Sequence, residues 1–440
     1  FDISTDAYRR AYHFMAHGMY NHRCGCALPE KYAGKWTRDR RCHHSDDYPA
    51  FICSGGWKND NPASLLPTKT NTQVEYWGAW HDAGDYDHYP KHFKIPLMLF
   101  AAYELNPEGS IDGELNIPES GNGIPDIIDE AKWGVDFYKR IVRPDGKISD
   151  YCTPYPSPMT SHEPNINGGA TTMMLCSKPL GGAVALNYSA MAAGMAYYLK
   201  KFGKETQAGE YIESAKRSYG QGASGNEKAG AAFWLWKATG EESYHNDFKQ
   251  NLPSPHKNHT FVQNYIIASY LCMPGSDPAT REQLLDRVLA KADSDIEEIK
   301  RDEFRKYRWT TWNGANAIPH SPILPIAYKA TGDKKYRDYH ALQADYALGA
   351  NPLNMTWITR LGEKSPTQVP HIEHRDHWGP AGLLGPPGIA PFGPASANMA
   401  QQRWCRFLSE CYASVFPGSN SWSVAELWFE RPNINCVTEY

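Results

Sequence analysis

The sequence predicts an all-α fold, and three observations support that class. Apolar residues recur at helical spacing along most of the 440 residues, as in the stripe of Leu284, Val288, Ala292, Ile296 and Ile299. Strand-like segments do not alternate with helix-like ones, as a parallel sheet would require. Hydrophobic residues make up 41% of the chain and charged residues 21%, so the chain can bury a large core.

Helical patterns follow one another along the chain and predict about a dozen helices. They cover about 4–20, 91–105, 125–143, 181–202, 207–220, 228–239, 260–272, 284–299, 313–331, 334–348 and 396–414. Gly- and Pro-rich stretches between them predict long irregular loops at 21–90, 106–124, 144–180, 350–395 and 416–435. Long loops are often functional, so we expect one all-α domain over 1–440 whose loops hold the site.

The composition excludes several functional classes. Lys and Arg number 45 and Asp and Glu 49, a net charge of −4, whereas nucleic-acid-binding proteins usually carry a basic surplus. No apolar run approaches the ~18–20 residues that cross a bilayer, so we expect no membrane partner. The 14 Trp and 27 Tyr residues suit a core, and they also suit flat platforms for a ring-shaped ligand.

The chain termini and the number of cysteines lead to expectations about how the protein is processed and where it acts. The chain starts at Phe1 without an initiator Met or a signal-like apolar stretch, so we expect a mature or excised form. It ends abruptly at Tyr440, and we expect a longer precursor to contain accessory domains. Ten cysteines are too few for a disulfide scaffold. We expect a secreted protein, extracellular or periplasmic.

The sharpest local feature is the segment His81-Asp82-Ala83-Gly84-Asp85, which directly precedes a helical pattern. Its two carboxylates lie three residues apart around a small Ala-Gly pair, so a turn can direct both at one water or metal ion. The alternative is that one Asp caps the next helix while the other is exposed. The spacing alone leaves both interpretations open.

Residues 81–85 resemble the Asp-Ala-Gly-Asp motif of family 9 glycoside hydrolases. Further matches follow in family order at 117–131 (IPESGNGIPDIIDEA), 309–316 and 349–366. The resemblance runs from about residue 5 to 435. It implies an (α/α)6 barrel, a toroid of six helical hairpins. It also implies hydrolysis of β-1,4-glycosidic bonds in cellulose or related β-glucans, with inversion at the anomeric carbon.

The resemblance assigns roles to the carboxylates. Asp85 matches the general base that activates a water, and Asp82 matches its partner on the same water. The family's general acid lies near the C-terminus, where Glu426 and Glu430 both fit in part. Glu426 fits the residues that precede the family's acid, whereas Glu430 needs fewer inserted residues after it but follows Trp-Phe instead of Asn. We slightly favour Glu426.

Two groups of residues are candidate sugar contacts. The first matches the family's Pro-His-His-Arg motif across a two-residue insertion: His371, His374 and Arg375. The second flanks the motif loops with aromatic rings: Tyr86, Trp309, Trp312 and Trp378. Core packing accounts for most Trp residues and is the alternative for the second group. Among the rings we favour Trp309 and Trp312.

A metal site is predicted at Cys24, Cys42, His43 and His81. Two thiolates and two imidazoles suit tetrahedral zinc, although their spacing is longer than in a zinc finger. The resemblance implies the same site, since some family 9 members hold a structural zinc with such ligands. Disulfides Cys24–Cys42 or Cys26–Cys53 are the alternative. Some relatives bind calcium, but no loop of oxygen ligands here can be assigned to it.

Two other functions stay open. An exo-β-glucosaminidase acting on chitosan oligosaccharides would need additional carboxylates near the sugar amine, and Glu363, Glu373 and Asp376 lie in suitable loops. A non-catalytic carbohydrate-binding protein would keep the barrel and lack a working acid. In each case the partner is a polysaccharide or oligosaccharide. Endo and exo action are not distinguished by the sequence.

Overall fold

A computed structural model describes most of the chain up to residue 366 and one short segment beyond it. The described residues are 7–39, 41, 44–46, 49–54, 68–81, 93–148, 152–155, 172–175, 180–222, 224–256, 262–303, 305, 307, 321–351, 354–366 and 386–390. All structural statements below refer to these residues.

Twelve helices lie in the described ranges and confirm the all-α prediction. They are α1 (Ala7–Asn21), α2 (Glu30–Ala33), α3 (Lys94–Leu105), α4 (Asp126–Ile141), α5 (Gly182–Lys201), α6 (Glu205–Tyr219), α7 (Asn226–Thr239), α8 (Glu242–Gln250), α9 (Val262–Cys272), α10 (Pro278–Lys300), α11 (Leu324–Thr331) and α12 (Lys334–Ala347). No helix in the described part of the chain is both long and apolar enough to cross a bilayer.

Most predicted helices lie within a few residues of an observed one, with three differences. The short α2 and α8 were not predicted. The helix predicted at 313–331 is wrong at its start, because residues 321–323 are not helical and α11 begins only at Leu324. Pro322 and Pro325 explain the late start, since proline lacks the N–H of a helix interior. The helix predicted at 396–414 lies outside the described residues.

The helices differ in how much of each one is buried. In α5, 13 of 20 residues are buried, so it is enclosed on nearly all sides. In α10 only 7 of 23 are buried, mainly along the predicted apolar stripe, so one face meets the core and the others face water. Helices α3, α5, α7 and α9 pack against one another, and α11 contacts both α3 and α9. We call these five the inner helices.

Side-chain contacts show that the inner helices α7 and α9 run in the same direction. Near the start of α7, Gly230 lies against Ile266, which is in the first half of α9. One turn later in both helices, the rings of Phe233 and Tyr270 lie 5.7 Å apart. Contacts that advance together along two helices require parallel axes.

The C-terminal ends of the inner helices meet around one buried carboxylate. Glu104, near the end of α3, accepts a 2.8 Å hydrogen bond from Tyr198 Oη near the end of α5. Burial raises the pKa of Glu104, while Tyr198 and the charges of Lys201, Lys237 and Lys329 lower it. These lysines lie in the last turns of α5, α7 and α11, where the negative end of the helix dipole stabilises a cation. The five helices therefore all begin at the opposite end, which we call the N-terminal end.

A small sheet was not predicted. Its strands are β1 (Ala50–Ser54), β2 (Thr68–Val74), β3 (Cys152–Tyr155) and β4 (Thr172–Leu175), in the order β2-β1-β4-β3. β1 pairs antiparallel with β2 and parallel with β4, with Ala50 opposite both Val74 and Met173. The predictions of irregular loops at 21–90 and 144–180 are wrong at these strands. The sheet joins two segments that are distant in sequence.

Candidate active site

Most of the predicted site residues lie outside the described part of the chain. These are Cys42, His43, Asp82, Asp85, Tyr86, Trp309, Trp312, His371, His374, Arg375, Trp378, Glu426 and Glu430. Cys24 and His81 are described. The structure also describes the residues at the ends of three segments that carry predicted site residues, namely 82–92, 308–320 and 367–385.

Two of these segments connect to the same end of the inner helices. Residues 82–92 come just before α3, and residues 308–320 come just before α11. Helices α3 and α11 pack against each other and both begin at the N-terminal end. The segment with Asp82 and Asp85 and the segment with Trp309 and Trp312 are therefore attached at neighbouring points.

A backbone pairing fixes the residues directly before Asp82. Arg23 and Trp80 form an antiparallel bridge. On either side of it, Cys24 N donates to Ala79 O at 2.9 Å, and His81 N donates to His22 O at 3.1 Å. The chain thus enters segment 82–92 from a position held by the turn that follows α1.

A buried ionic network, which we call the Arg23 anchor, holds the same bridge. Arg23 Nη2 lies 2.7 Å from Glu130 Oε2, and its Nη1 lies 3.0 Å from Glu119 Oε1. Trp80 Nε1 donates to Glu130 Oε1 at 2.7 Å. The side chains of Arg23 and Glu130 are each only 1% exposed, so the charged hydrogen bonds between them are shielded from water.

Helix α4 is shaped to receive Trp80. A Cβ at Gly134 would lie 2.5 Å from the indole Cη2, so only glycine leaves room for the ring. Trp133 Nε1 donates to Ala79 O at 2.8 Å, and its ring stacks on the Arg23 guanidinium at 4.6 Å. No role was predicted from the sequence for the family match at 117–131. In the structure, Glu119 and Glu130 of this segment bond to Arg23 and Trp80, the paired residues that precede Asp82.

Two of the predicted zinc ligands are buried on the paired segments. Cys24 is 1% exposed and His81 is fully buried. Ser45, two residues after His43, donates its backbone N–H to Tyr76 O at 2.9 Å, five residues before His81. A buried thiol and a buried imidazole on two paired backbone segments fit a structural zinc. No group of three metal-ligating side chains occurs within the described residues, but two of the four predicted ligands are outside them.

The anchor for segment 367–385, which we call the Thr359 anchor, holds both of its ends. Thr359 is fully buried and exchanges backbone hydrogen bonds with Gly388 and Ile389 at 3.0 and 2.9 Å. Its hydroxyl donates to Pro386 O and accepts from Ile389 N. The next residue, Arg360, donates its N–H to Pro366 O at 3.3 Å. The segment with His371, His374 and Arg375 therefore leaves and returns at one point.

The end of α1 connects the Thr359 anchor to the Arg23 anchor. Asn21 Nδ2 donates to Pro387 O at 3.3 Å, two residues before Arg23. A Cβ at Gly18 would lie 2.3 Å from Gly388 O, so the backbones are in direct contact there. Segments 82–92 and 367–385 thus arise from adjoining anchors.

An acidic loop supports α4 beside the Arg23 anchor. Asp126 accepts hydrogen bonds from Gly113 N, Leu115 N and Ser120 Oγ at 2.9, 2.7 and 2.8 Å. Asn122 Nδ2 donates to both oxygens of Asp129, at 3.1 and 3.0 Å. Burial, with Glu119 and Asp126 adding repulsion, raises the pKa of Asp129 to about 7, although the hydrogen bond from Asn122 opposes the rise.

The raised pKa of Asp129 predicts a pH-dependent stability. Because the folded value exceeds the ordinary value of 3.8, folding favours the protonated carboxyl. Its contribution to the free energy of unfolding is full below pH ~4 and is lost as pH rises through about 7. We expect Asp129→Asn to flatten the decline in stability over this range, measured by denaturant unfolding at several pH values. Asp338→Asn, at an exposed position, should follow the wild type, and a parallel profile for Asp129→Asn would contradict the expectation.

A sequence model described as glycosyl hydrolase family 9 matches residues 8–381. The chain belongs to glycosyl hydrolase family 9. Endoglucanase D of Acetivibrio thermocellus is 26% identical over 401 residues, which cover 84% of this chain and 62% of that protein. The xyloglucan-specific endo-beta-1,4-glucanase BoGH9A of Bacteroides ovatus is 24% identical and covers 81% of this chain and 66% of its own. This chain spans less than two thirds of the length of either.

Solved family 9 structures have the same fold. The crystal structure of a metagenome-derived family 9 endoglucanase superposes with a TM-score of 0.73 at 23% identity, covering 98% of this chain and 78% of its own. Endoglucanase J30 gives 0.75 at 18%, covering 100% and 83%. A Zn-binding triple mutant of J30 gives 0.75 at 19% with the same coverage. The predicted (α/α)6 barrel is confirmed.

Several residues of this family 9 site were not predicted from the sequence. They are Arg23, Trp80 and Thr359, together with the roles of Glu119 and Glu130. Glu119 and Glu130 stood inside a quoted family motif, which was the available signal. Arg23 and Thr359 had no local signal, because their partners are distant in sequence.

Proposed function

We propose that this family 9 domain hydrolyses β-1,4-glycosidic bonds in cellulose or related β-glucans with inversion of the anomeric configuration. Family membership and the names of its relatives support this class of reaction. The observation that carries the proposal is the common attachment of segments 82–92 and 308–320 at the N-terminal end. One segment has the predicted base and the other has the predicted aromatic platform. We also propose that the protein acts outside the cytoplasm.

The proposed chemistry assigns one task to each carboxyl group. Asp85 removes a proton from water, Asp82 orients that water, and Glu426 or Glu430 protonates the leaving oxygen from the opposite face. Inverting enzymes separate base and acid by ~6.5–9.5 Å to leave room for the water. The positive dipole ends of the parallel inner helices lie at the N-terminal end, where segment 82–92 is attached, and a positive dipole end favours ionised carboxylates.

Parallel incubations with cellohexaose and the glucosamine hexamer test the proposed substrate class. We expect cellohexaose to be cut, with the products resolved over time by chromatography. Stepwise release of glucosamine from the second substrate, with no cleavage of the first, would replace the proposal with an exo-β-glucosaminidase. Glu363, which is exposed, would then be examined together with Glu373 and Asp376.

We further propose a structural zinc held by Cys24, Cys42, His43 and His81. A zinc bound by four side chains supplies folding energy and has no open position for substrate. Its effect on the site would pass through His81, which directly precedes Asp82. The burial of Cys24 and His81 on paired backbone segments supports the proposal.

Metal analysis of undenatured protein purified without chelator should find about one zinc per chain. We expect Cys24→Ser to lose the metal and to lower the melting temperature, because the site would lose one of its four ligands. Cys272→Ser, which replaces a cysteine on α9 outside the ligand set, should retain zinc. Wild-type protein without zinc, or a Cys24→Ser variant that keeps it, would contradict the proposal.

A further inference from the structure

Asp295 on α10 joins two points of the chain that are 14 residues apart. Its Oδ1 accepts a 3.0 Å hydrogen bond from Tyr307 Oη, and its Oδ2 accepts a 2.6 Å bond from Ser321 Oγ. Lys291, one turn earlier on α10, forms an ion pair with the same carboxylate. We call Lys291, Asp295, Tyr307 and Ser321 the Asp295 cluster.

A second buried side chain holds Ser321 from the other side. Gln343 of α12 is 1% exposed, and its Oε1 accepts a 2.6 Å hydrogen bond from Ser321 N. Its Nε2 donates to Tyr339 O at 3.0 Å, which fixes the amide. Ser321 is itself fully buried. The position of Ser321 is therefore determined by two helices.

The burial of the Asp295 carboxylate requires a physical explanation. Asp295 is fully buried, and an aspartate is almost never buried unless it is paired. Desolvating a charged pair costs several kcal/mol per ion, and apolar residues often pack as stably in its place. The rest of the buried α10 face is mainly apolar, including Val288, Ala292 and Ile296. Unlike an apolar side chain, the carboxylate accepts hydrogen bonds from Tyr307 and Ser321.

The two residues that it joins flank the segment 308–320. Tyr307 stands directly before this segment and two residues before Trp309, and Ser321 stands directly after it. One carboxylate thus sets the separation between the points where the segment leaves and rejoins the barrel. This fixes the ends of the segment with the favoured aromatic candidates, Trp309 and Trp312.

We propose that Asp295 is a positioning residue for substrate binding, which acts through Tyr307 and Ser321 on the segment that contains Trp309 and Trp312. The proposal rests on the proposed function, in which these rings contact sugar. Rigid support around a binding residue raises affinity because less ordering remains to be done on binding. Asp295 itself does not contact the substrate in this account.

Two variants weaken the cluster with little change in shape. Tyr307→Phe removes one hydroxyl and keeps the ring, and the double variant with Ser321→Ala removes both hydroxyl donors to Asp295. Tyr336→Phe is the matched control. Tyr336 of α12 is equally buried, and it donates a 3.0 Å hydrogen bond to Asp293, also on α10, instead of to Asp295. All variants are compared in the full chain at a temperature well below their melting points.

Two measurements are made on each variant. Hydrogen exchange followed by mass spectrometry reports on the amides of 308–320 and needs no substrate. Steady-state kinetics on cellohexaose separates KM from kcat. We expect the double variant to show faster exchange confined to 308–320 and a KM raised about 10-fold, with kcat within about two-fold of the wild type. Tyr307→Phe should give a smaller change in the same direction, and Tyr336→Phe should change neither quantity.

Three results would overturn the proposal. Unchanged exchange in 308–320 would show that the cluster does not hold the segment. Faster exchange with an unchanged KM would show that the hold does not serve substrate binding. An equal rise in KM for Tyr336→Phe would show a general loss of stability. If the wild type does not cleave cellohexaose, the proposed function fails, and the exchange result still decides whether Asp295 holds the segment.

Discussion

Replacing Asp85 with Asn is expected to abolish hydrolysis of cellohexaose while sugar binding is retained. An amide has nearly the same shape as the carboxylate but cannot accept the proton of the attacking water. General base catalysis supplies ~10²–10⁴-fold, so the loss in kcat should be at least of that order. The measurement is kcat by product chromatography, combined with calorimetric titration of cellohexaose into the inactive variant.

The control for this prediction is Asp145→Asn, in the turn after α4. Its carboxylate is ion-paired with Lys147 at 3.0 Å, and it has no predicted role in the reaction. This variant should retain wild-type kcat. An Asp85→Asn protein with full activity would show that another residue is the base.

Replacing each candidate acid with Gln should show, from the change in kcat, which glutamate donates the proton. Glu426→Gln should lower kcat on cellohexaose by ~10²–10⁴-fold, because the leaving sugar alkoxide needs a proton. On an aryl cellobioside with an acidic phenol as the leaving group the loss should be much smaller, since that group departs unprotonated. Glu430→Gln should behave as the wild type on both substrates.

Each alternative outcome for the acid has a definite meaning. If Glu430→Gln shows the substrate-dependent loss and Glu426→Gln does not, the preference for Glu426 is wrong. If neither variant differs from the wild type on cellohexaose, neither glutamate is the acid. If the wild type binds cellohexaose without cleaving it, the protein is a carbohydrate-binding protein on the same fold.

The long helices could be predicted because each has a local signal. The apolar stripe of α10 repeats every three or four residues and predicted residues 284–299, whereas the helix begins six residues earlier at Pro278, after the capping Asp277. The Asp277 carboxylate accepts a 2.9 Å hydrogen bond from Thr280 N, as expected of a capping residue. By contrast, α8 has the largely polar sequence ESYHNDFKQ with only His245 and Phe248 buried, so its periodicity was too weak to detect.

The sheet could not be predicted for a different reason. β2 reads TKTNTQV, with no alternation of apolar residues, and β3 contains Pro154. Both features argue against a strand when the sequence is considered alone. The pairing of β1 with β4 joins residues more than 100 positions apart, and no local pattern encodes such a contact.

The chemical candidates and their supports also differ in predictability. Asp82 and Asp85 were identified from a short motif whose spacing already suggested a shared target. The supporting residues have partners that are distant in sequence. Arg23 and Thr359 bond to residues 27 to 107 positions away, and Asp295 bonds to two residues that flank another segment. Such partners become visible only when the fold brings them together.

The anomer formed in the first turnovers is the sharpest test of the proposed inverting mechanism. Cellohexaose is mixed with a high concentration of enzyme, and proton NMR follows the anomeric signals of the new reducing ends before they mutarotate. An inverting hydrolase acting on a β-1,4 bond must produce the α-anomer first, with the β-anomer growing in later. Initial formation of the β-anomer would contradict the roles assigned to Asp82, Asp85 and the C-terminal glutamate.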